Sequence, residues 1–414
     1  MPAPWERRCW LPINLNKVKA GLAESRGGRV LLKLPEKFQT YSEARQQGFM
    51  RMKALKEQGR KVVGIFCTYT PVEMVLAAGA VPVSLCGGSD KPIPYAEKTL
   101  PKNLCPLIKS SYGYAVSDTC PYFYFSDMVL AETTCDGKKK MYEMLGELKY
   151  THVMQLPPGR SGNNALEGWH SEMHRLKDVL EKQLGVTITD EDVAEAIRLK
   201  NRERKATLDF FEIGRLKPSP LSGYEMITVI DNNSFIFDTE EKISILEKRT
   251  AELRKDYEEN FKGKPLKPRI LITGCPTGGV REKIIRQIEE EGAQIVGFEN
   301  CSGPRSQRDP VDENKEPYLA LAEKYLRVNC SVMSPNPGRF DAMAEMIDDY
   351  SVDAVIEVVL QACHTFAIES DRVKKFVTEK KKIPYLCLET DYSQTDTGQI
   401  NTRINAFLEM IQGI

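Results

Sequence analysis

Twice along this chain, short apolar runs of strand length alternate with helical stretches, and no hairpin signal interrupts either series. The first opens at KVVGIF (61–66) and ends on Cys67. TYTPVEMVLAAG follows, where Pro71 suits a first helical turn and Gly79 a stop. AVPVSL ends at Cys86, DMVLAE leads to Cys135, and GKKKMYEMLGEL reads as the next helix. In the second series RILITG, AQIVGF, DAVIEVVL and IPYLCLE are strands. Helical GVREKIIRQIEEEG, PYLALAEKYLRV, RFDAMAEMIDDYSV and RVKKFVTEKKK separate them, and INTRINAFLEMIQ is a terminal helix. Strands joined through helices pair in parallel, so the pattern predicts an α/β fold of two doubly wound, flavodoxin- or Rossmann-like sheets.

The two series are separated by polar helical sequence from about residue 162 to 216. A long helix, TEEKISILEKRTAELRKDYEENF, places Ile243, Leu246 and Leu253 near one face, and KGKPLKP reads as a linker. Four regions result: an N-terminal irregular and helical segment (1–58), a first α/β domain (59–160), a helical region with linker (161–264) and a second α/β domain (265–414).

Lys plus Arg and Asp plus Glu are equal at 58 each, which gives no electrostatic case for nucleic acid or an anionic membrane. The N-terminus carries no secretory pattern and no run approaches a membrane span, so a cytoplasmic protein is expected. On that expectation the two Asn-Cys-Ser stretches, at Asn300 and Asn329, are not sugar sites.

What they contribute is cysteine. The chain has 11 cysteines and only 4 histidines. In a reducing compartment so many thiols point to metal, redox chemistry or packing rather than disulfides. CxxC, CxxxC and HExxH are absent, so the compact zinc spacings are missing. Ligands of open parallel sheets sit beyond the carboxyl ends of the strands, where Cys67, Cys86, Cys275, Cys301 and Cys363 fall. Cys135 comes a few residues after another strand. Cys105 and Cys120 lie in irregular, Pro-rich segments. Any single cysteine is more often a small buried hydrophobe than a ligand. Cys387, inside YLCLE, is read as packing, Cys86 as core, and Cys9 receives no role. Cys275 lies in TGCPTGG, which is no P-loop because Val280 occupies the lysine position, and is read as part of a tight strand-to-helix turn. Cys67, Cys105, Cys120, Cys135, Cys301, Cys330 and Cys363 remain. Thiolate-rich, imidazole-poor ligation from separated loops favours iron–sulfur over structural zinc.

The stretches GIFCTYTPVEMVLAAGAVPV, NLCPLIKSSYGY, TTCDGKKKMYEML, CHTFAIES and ETDYSQTDTGQINTRINAFLEM carry a family resemblance. From about residue 50 to the C-terminus the chain resembles the 2-hydroxyacyl-CoA dehydratase and benzoyl-CoA reductase family. The resemblance implies flavodoxin-like domains around an iron–sulfur cluster and an ATP-hydrolysing [4Fe-4S] partner that supplies low-potential electrons. In the usual dehydratase subunit three cysteines hold one [4Fe-4S] cubane, and Cys105, Cys135 and Cys363 are the best matches. The surplus of Cys67, Cys301 and Cys330 is similar to the double-cubane branch, homodimeric proteins with an [8Fe-9S] cluster. On that resemblance the expected ligands are Cys67, Cys105, Cys135, Cys301, Cys330 and Cys363, with Cys120 in reserve.

The expected activity is reduction of a small molecule. The alternatives are a single-cubane subunit of a 2-hydroxyacyl-CoA dehydratase and a non-catalytic electron-storage protein. His364, beside Cys363, is the candidate proton donor, with loop hydrogen bonding as the bland alternative. Glu73 is a weaker one, with capping or solvation the favoured reading. Ser302 and Ser331 are candidate hydrogen-bond donors to sulfur, or plain turn formers. Tyr392 and Asp391 are read as site wall or strand cap. His152, His170 and His174 are assigned no chemistry.

Overall fold

A computed structural model describes residues 43–161 and 164–413; Cys9 lies outside them. Among the described residues, eight strands form two separate four-stranded sheets. The first holds β1 (Val62–Ile65), β2 (Val81–Ser84), β3 (Met128–Glu132) and β4 (Thr151–Met154), in the order β2-β1-β3-β4. The second holds β5 (Arg269–Gly274), β6 (Gln294–Glu299), β7 (Ala354–Leu360) and β8 (Tyr385–Thr390), in the order β6-β5-β7-β8. Every pairing is parallel. Both orders are the flavodoxin-like start of a doubly wound sheet, as expected. Each reverses direction beside its first strand, so each has a switch point between its first and third strands. Buried strands such as AVIEVVL, buried at every position, fit sheets covered on both faces.

Several elements differ from the sequence expectation. β4 is a short edge strand with an alternating burial pattern, too brief for periodicity to reveal. The Pro-rich segments around Cys105 and Cys120 are not irregular beyond those residues. Each cysteine is the N-cap of a helix, Pro106–Val116 and Pro121–Phe125, with proline at the first position, where its missing N–H costs nothing. The helix expected from Arg372 begins earlier, at His364, and makes Cys363 its N-cap. Immediately before it, Ala362 adopts φ 56°, a left-handed conformation costing a residue with a side chain about 1–2 kcal/mol, which turns the chain sharply off β7.

The inserted region is helical, with long elements at Ala165–Leu184, Asp190–Phe211 and Thr239–Asp256. Thr189 with Asp192, and Ser222 with Glu225, form reciprocal capping boxes that fix two helix starts. One apolar core runs through both α/β domains and this region. Polar clamps join them. The buried Arg269 at the start of β5 donates to the carbonyls of Tyr350 (2.9 Å), Leu216 (3.1 Å) and Gly214 (2.6 Å). Tyr69, after β1, donates to the Val328 carbonyl at 2.8 Å. Glu73 is buried against Arg204 and the Tyr325 hydroxyl. Burial works against its charge, but Arg204 outweighs this and holds the carboxyl below its ordinary range. Glu73 is therefore an inter-element clamp, neither a solvated residue nor a free proton donor. No helix among the described residues is long and apolar enough to cross a membrane.

Candidate metal centre

The carboxyl ends of the two sheets face one another across a narrow seam. A Cβ on Gly279 would meet the Gly88 carbonyl at 2.8 Å and the Tyr392 ring at 2.4 Å, so only glycine lets the two loops approach there. The Tyr392 hydroxyl donates across the seam to the Gly87 carbonyl at 3.3 Å. Two groups of thiols collect behind this closure, each drawing on both domains.

The first consists of Cys67 from the end of β1, with Cys301 after β6 and Cys330 beyond the helix Pro317–Leu326. Burial raises the Cys67 thiol, and Glu132, Cys330 and Cys301 raise it further, while Lys138 opposes them. Burial, then Cys301, pushes Cys330 up to about 11, against the pull of Arg305. Two cations therefore accompany this group. Arg305 is buried and directs Nη1 at the Cys301 sulfur, 3.8 Å away. Lys138 donates to the Phe66 carbonyl at 3.3 Å; burial disfavours its charge, but Tyr142, Cys67, Cys86 and Cys135 keep it protonated. Glu132 completes the surroundings. Burial pushes its carboxyl up to about 7, although Thr70 donates to it and Lys138 attracts its charge.

The second group consists of Cys105, Cys275 and Cys363. Beside the Cys105 and then the Cys275 thiol, the Cys363 thiol is held well below its ordinary range. Correspondingly, Cys105 is raised, chiefly by its hydrogen bond to Cys363, and Cys275, chiefly by burial. Cys275 also accepts from the Leu360 N–H at 3.3 Å. Cys105 and Cys363 each start a helix, where the unpaired N–H groups and the dipole favour a thiolate. Tyr392, buried among Cys105, Cys275, Cys86 and Cys363, walls this group.

Cys135 stands between the two. It is the N-cap of Asp136–Gly146, whose Lys138 reaches the first group. A Cβ on Gly137 in the same turn would meet the Ile108 side chain at 2.7 Å, beside Cys105. The structure thus brings the six expected residues to one seam and adds Cys275. The TGCPTGG turn is present as expected: Gly274, at φ 99°, lies where a Cβ would stand 2.2 Å from the Val358 carbonyl. What the turn reading missed is that the turn also aims Cys275 inward. Its position one residue past a switch-point strand was the available signal. Cys120 is held apart, accepting from the Phe123 N–H at 3.4 Å, with Lys149 and Asp118 as its charged neighbours. Cys86, expected in the core, is exposed and donates to the Phe66 carbonyl at 2.9 Å. Cys387 is half-buried within β8.

The donor set suits an iron–sulfur cluster better than a single ion. Seven thiols from separated loops exceed the four donors that one tetrahedral ion takes, and they come with few imidazoles. The loops also hold buried hydroxyls without partners beside the thiols: Thr68 next to Cys67, Thr134 next to Cys135, and Thr277 two residues after Cys275. Buried hydroxyls seek acceptors, and hydrogen bonds to sulfur are a principal control on cluster potential. Ser331 is committed elsewhere, donating to Thr365 at 3.0 Å, whereas Ser302 accepts from the Thr277 N–H at 3.0 Å and keeps its own O–H to donate. Asn300 ties the Cys301 turn to the Cys275 carbonyl at 3.1 Å, and Asn329 accepts from Arg160. His364 is exposed on the first turn after Cys363. Asp391 accepts from the Ser393 N–H at 2.7 Å and shapes the turn carrying Tyr392.

The model of a family described as 2-hydroxyglutaryl-CoA dehydratase, D-component, matches residues 67–411. The chain is 50% identical over 378 residues to YjiM of Escherichia coli (strain K12), provisionally named a dehydratase subunit, covering 91% of this chain and 98% of that one. It is 26% identical over 364 residues to the (R)-phenyllactyl-CoA dehydratase beta subunit of Clostridium sporogenes, with 87% and 94% covered. A benzoyl-CoA reductase subunit of Thauera aromatica is 20% identical over 366 residues, with 86% and 92% covered.

Proposed function

Since the chain belongs to the family of 2-hydroxyacyl-CoA dehydratase and benzoyl-CoA reductase subunits, we propose that it is an iron–sulfur reductase of small molecules. Its electrons come from an ATP-hydrolysing [4Fe-4S] partner, and it works as a cytoplasmic homodimer. Its cofactor is the double-cubane [8Fe-9S] cluster, held by Cys67, Cys301 and Cys330 on one side and by Cys105, Cys363 and either Cys135 or Cys275 on the other. Bound there, the cluster stores and passes low-potential electrons. The observation that carries this reading is the convergence of two separate thiol groups, each built from both domains, on one buried seam.

The chain's own residues then have distinct tasks. Lys138 and Arg305 offset the thiolate charge of the first group, and helix N-termini do so for Cys105 and Cys363. Thr68, Thr134 and Thr277 donate hydrogen bonds to sulfur. Tyr392 and the Gly88–Gly279 contact exclude water. Glu132 holds a proton at its carboxyl beside the first group, and His364 delivers protons from solvent.

A second reading is favoured by the names of the relatives, among them dehydratase beta subunits. In it the chain carries one [4Fe-4S] cubane and acts only with a different subunit. Iron and acid-labile sulfide, measured on anaerobically purified protein, separate the two: about eight irons per chain for the first reading and about four for the second. Turnover of a 2-hydroxyacyl-CoA that appears only when a second subunit type is added would sink the reductase reading.

A further inference from the structure

Away from the thiols, three ligand-type side chains meet at the junction of the helical region and the second α/β domain. His170 and His174 stand one turn apart on Ala165–Leu184, on the flank of its buried Trp169–Met173–Leu176 stripe. Their Nε2 atoms are 3.2 Å apart. Glu316 is the N-cap of Pro317–Leu326, and its Oε2 lies 3.3 Å from His170 Nε2. All three donor atoms fall within 4.8 Å of one another. With metal–donor bonds of about 2.0–2.1 Å, the ligands of one tetrahedral ion stand about 3.3–3.4 Å apart. Two of the three separations match the edges of such a polyhedron, and the third lies within 4.8 Å.

The side chains are also held in place, as ligands usually are. Glu316 accepts from the Tyr318 N–H at 3.1 Å and the Leu319 N–H at 2.6 Å, so its carboxylate is oriented by the helix it caps. The His174 ring lies against Tyr318, centroids 4.5 Å apart, and packs edgewise on His170. Without an ion, a hydrogen bond between the two Nε2 atoms occupies only one edge of the three-donor group. Nothing in the cysteine chemistry uses these residues.

We propose that His170, His174 and Glu316 bind a divalent transition-metal ion of zinc type, which staples the helix Ala165–Leu184 to the second α/β domain. Two imidazoles and one carboxylate are the donors such ions select over magnesium or calcium, and an exposed fourth position is left for water.

The test uses the full chain, purified anaerobically with its native cofactor content, and Co2+ as the probe. Equilibrium dialysis with elemental analysis compares the wild type with the exposed double variant His170→Gln/His174→Gln. The wild type is expected to hold one additional Co2+, with a visible ligand-field spectrum free of thiolate charge-transfer bands, and to melt at a higher temperature when Co2+ is present. The double variant is expected to lose all three signals. Glu316→Gln keeps an oxygen for the capping bonds and is expected to bind Co2+ about tenfold or more weakly, with its metal-free melting temperature little changed. Equal Co2+ content in wild type and double variant would overturn the proposal, as would an additional equivalent whose spectrum carries thiolate charge transfer.

Discussion

The two thiol groups are built from the same fold twice over, yet their electrostatics differ. Around Cys67, Cys301 and Cys330 the compensating charge is carried by side chains: Lys138 from the first domain and Arg305 from the second. Around Cys105, Cys275 and Cys363 it comes from the backbone: two helix N-termini and the Leu360 N–H. A guanidinium or ammonium is a full charge, whereas a helix end is worth about half of one. Two cofactor halves held in these places would differ in reduction potential, the first being the easier to reduce. Behind the first group the cation is itself anchored. Arg305 pairs with Glu299, which also pairs with Arg339, and Arg339 binds Glu357 and Glu369, all of them buried.

The largest expected effect that tests the contrast is loss of metal. Cys363→Ala and Cys330→Ala, one from each group, should each remove about half or more of the bound iron, read by elemental analysis, while Cys387→Ala should leave it unchanged. Retention of full iron by both ligand variants would dissolve the two-group picture. Next in size is Arg339→Met, which strips Glu299, Glu357 and Glu369 of their shared cation. Breaking a buried network in this way costs about 3–5 kcal/mol, and the denaturant midpoint should fall accordingly. A loss well under about 1 kcal/mol would mean that the anchor is not cooperative.

Smaller effects sharpen the comparison. Lys138→Met removes a full charge beside Cys67 and should lower the first group's potential by on the order of 50 mV, because reduction adds negative charge there. The second group's potential should move far less; equal shifts in both would contradict the asymmetry. Thr277→Val, the smallest change, deletes one hydroxyl near Cys275 and should lower only the second group's potential, by about 10–30 mV. Potentiometric titration followed by electron paramagnetic resonance reads both variants.

How much of this the sequence carried depends on the range of the forces involved. Strand–helix alternation is local, so the series opening at KVVGIF and at RILITG announced two parallel sheets before any contact was known. The carboxyl-end rule then pointed to Cys67, Cys86, Cys275, Cys301 and Cys363. Cys275 was set aside because its neighbours, Gly274, Pro276 and Gly278, explain themselves as a turn, and a turn gives no sign of which way its cysteine points. Cys86 was misjudged for the opposite reason: the apolar AVPVSL continues to Leu85, but the strand ends at Ser84 and Cys86 stands exposed beyond it. Arg305, Lys138 and Glu132 act through contacts between residues far apart in the chain, which no local pattern encodes. The pair His170 and His174 was visible at helical spacing, but its third partner, Glu316, lies 142 positions further on, so only the fold joins them.

The central claim is that both thiol groups hold iron at the same time. Iron and acid-labile sulfide, quantified per chain on protein purified and kept under strict anaerobic conditions, test it most directly. The account predicts about eight irons and a comparable amount of sulfide, with both falling together in Cys363→Ala and in Cys330→Ala. About four irons per chain, unaffected by loss of Cys330, or zinc in place of iron, would contradict it.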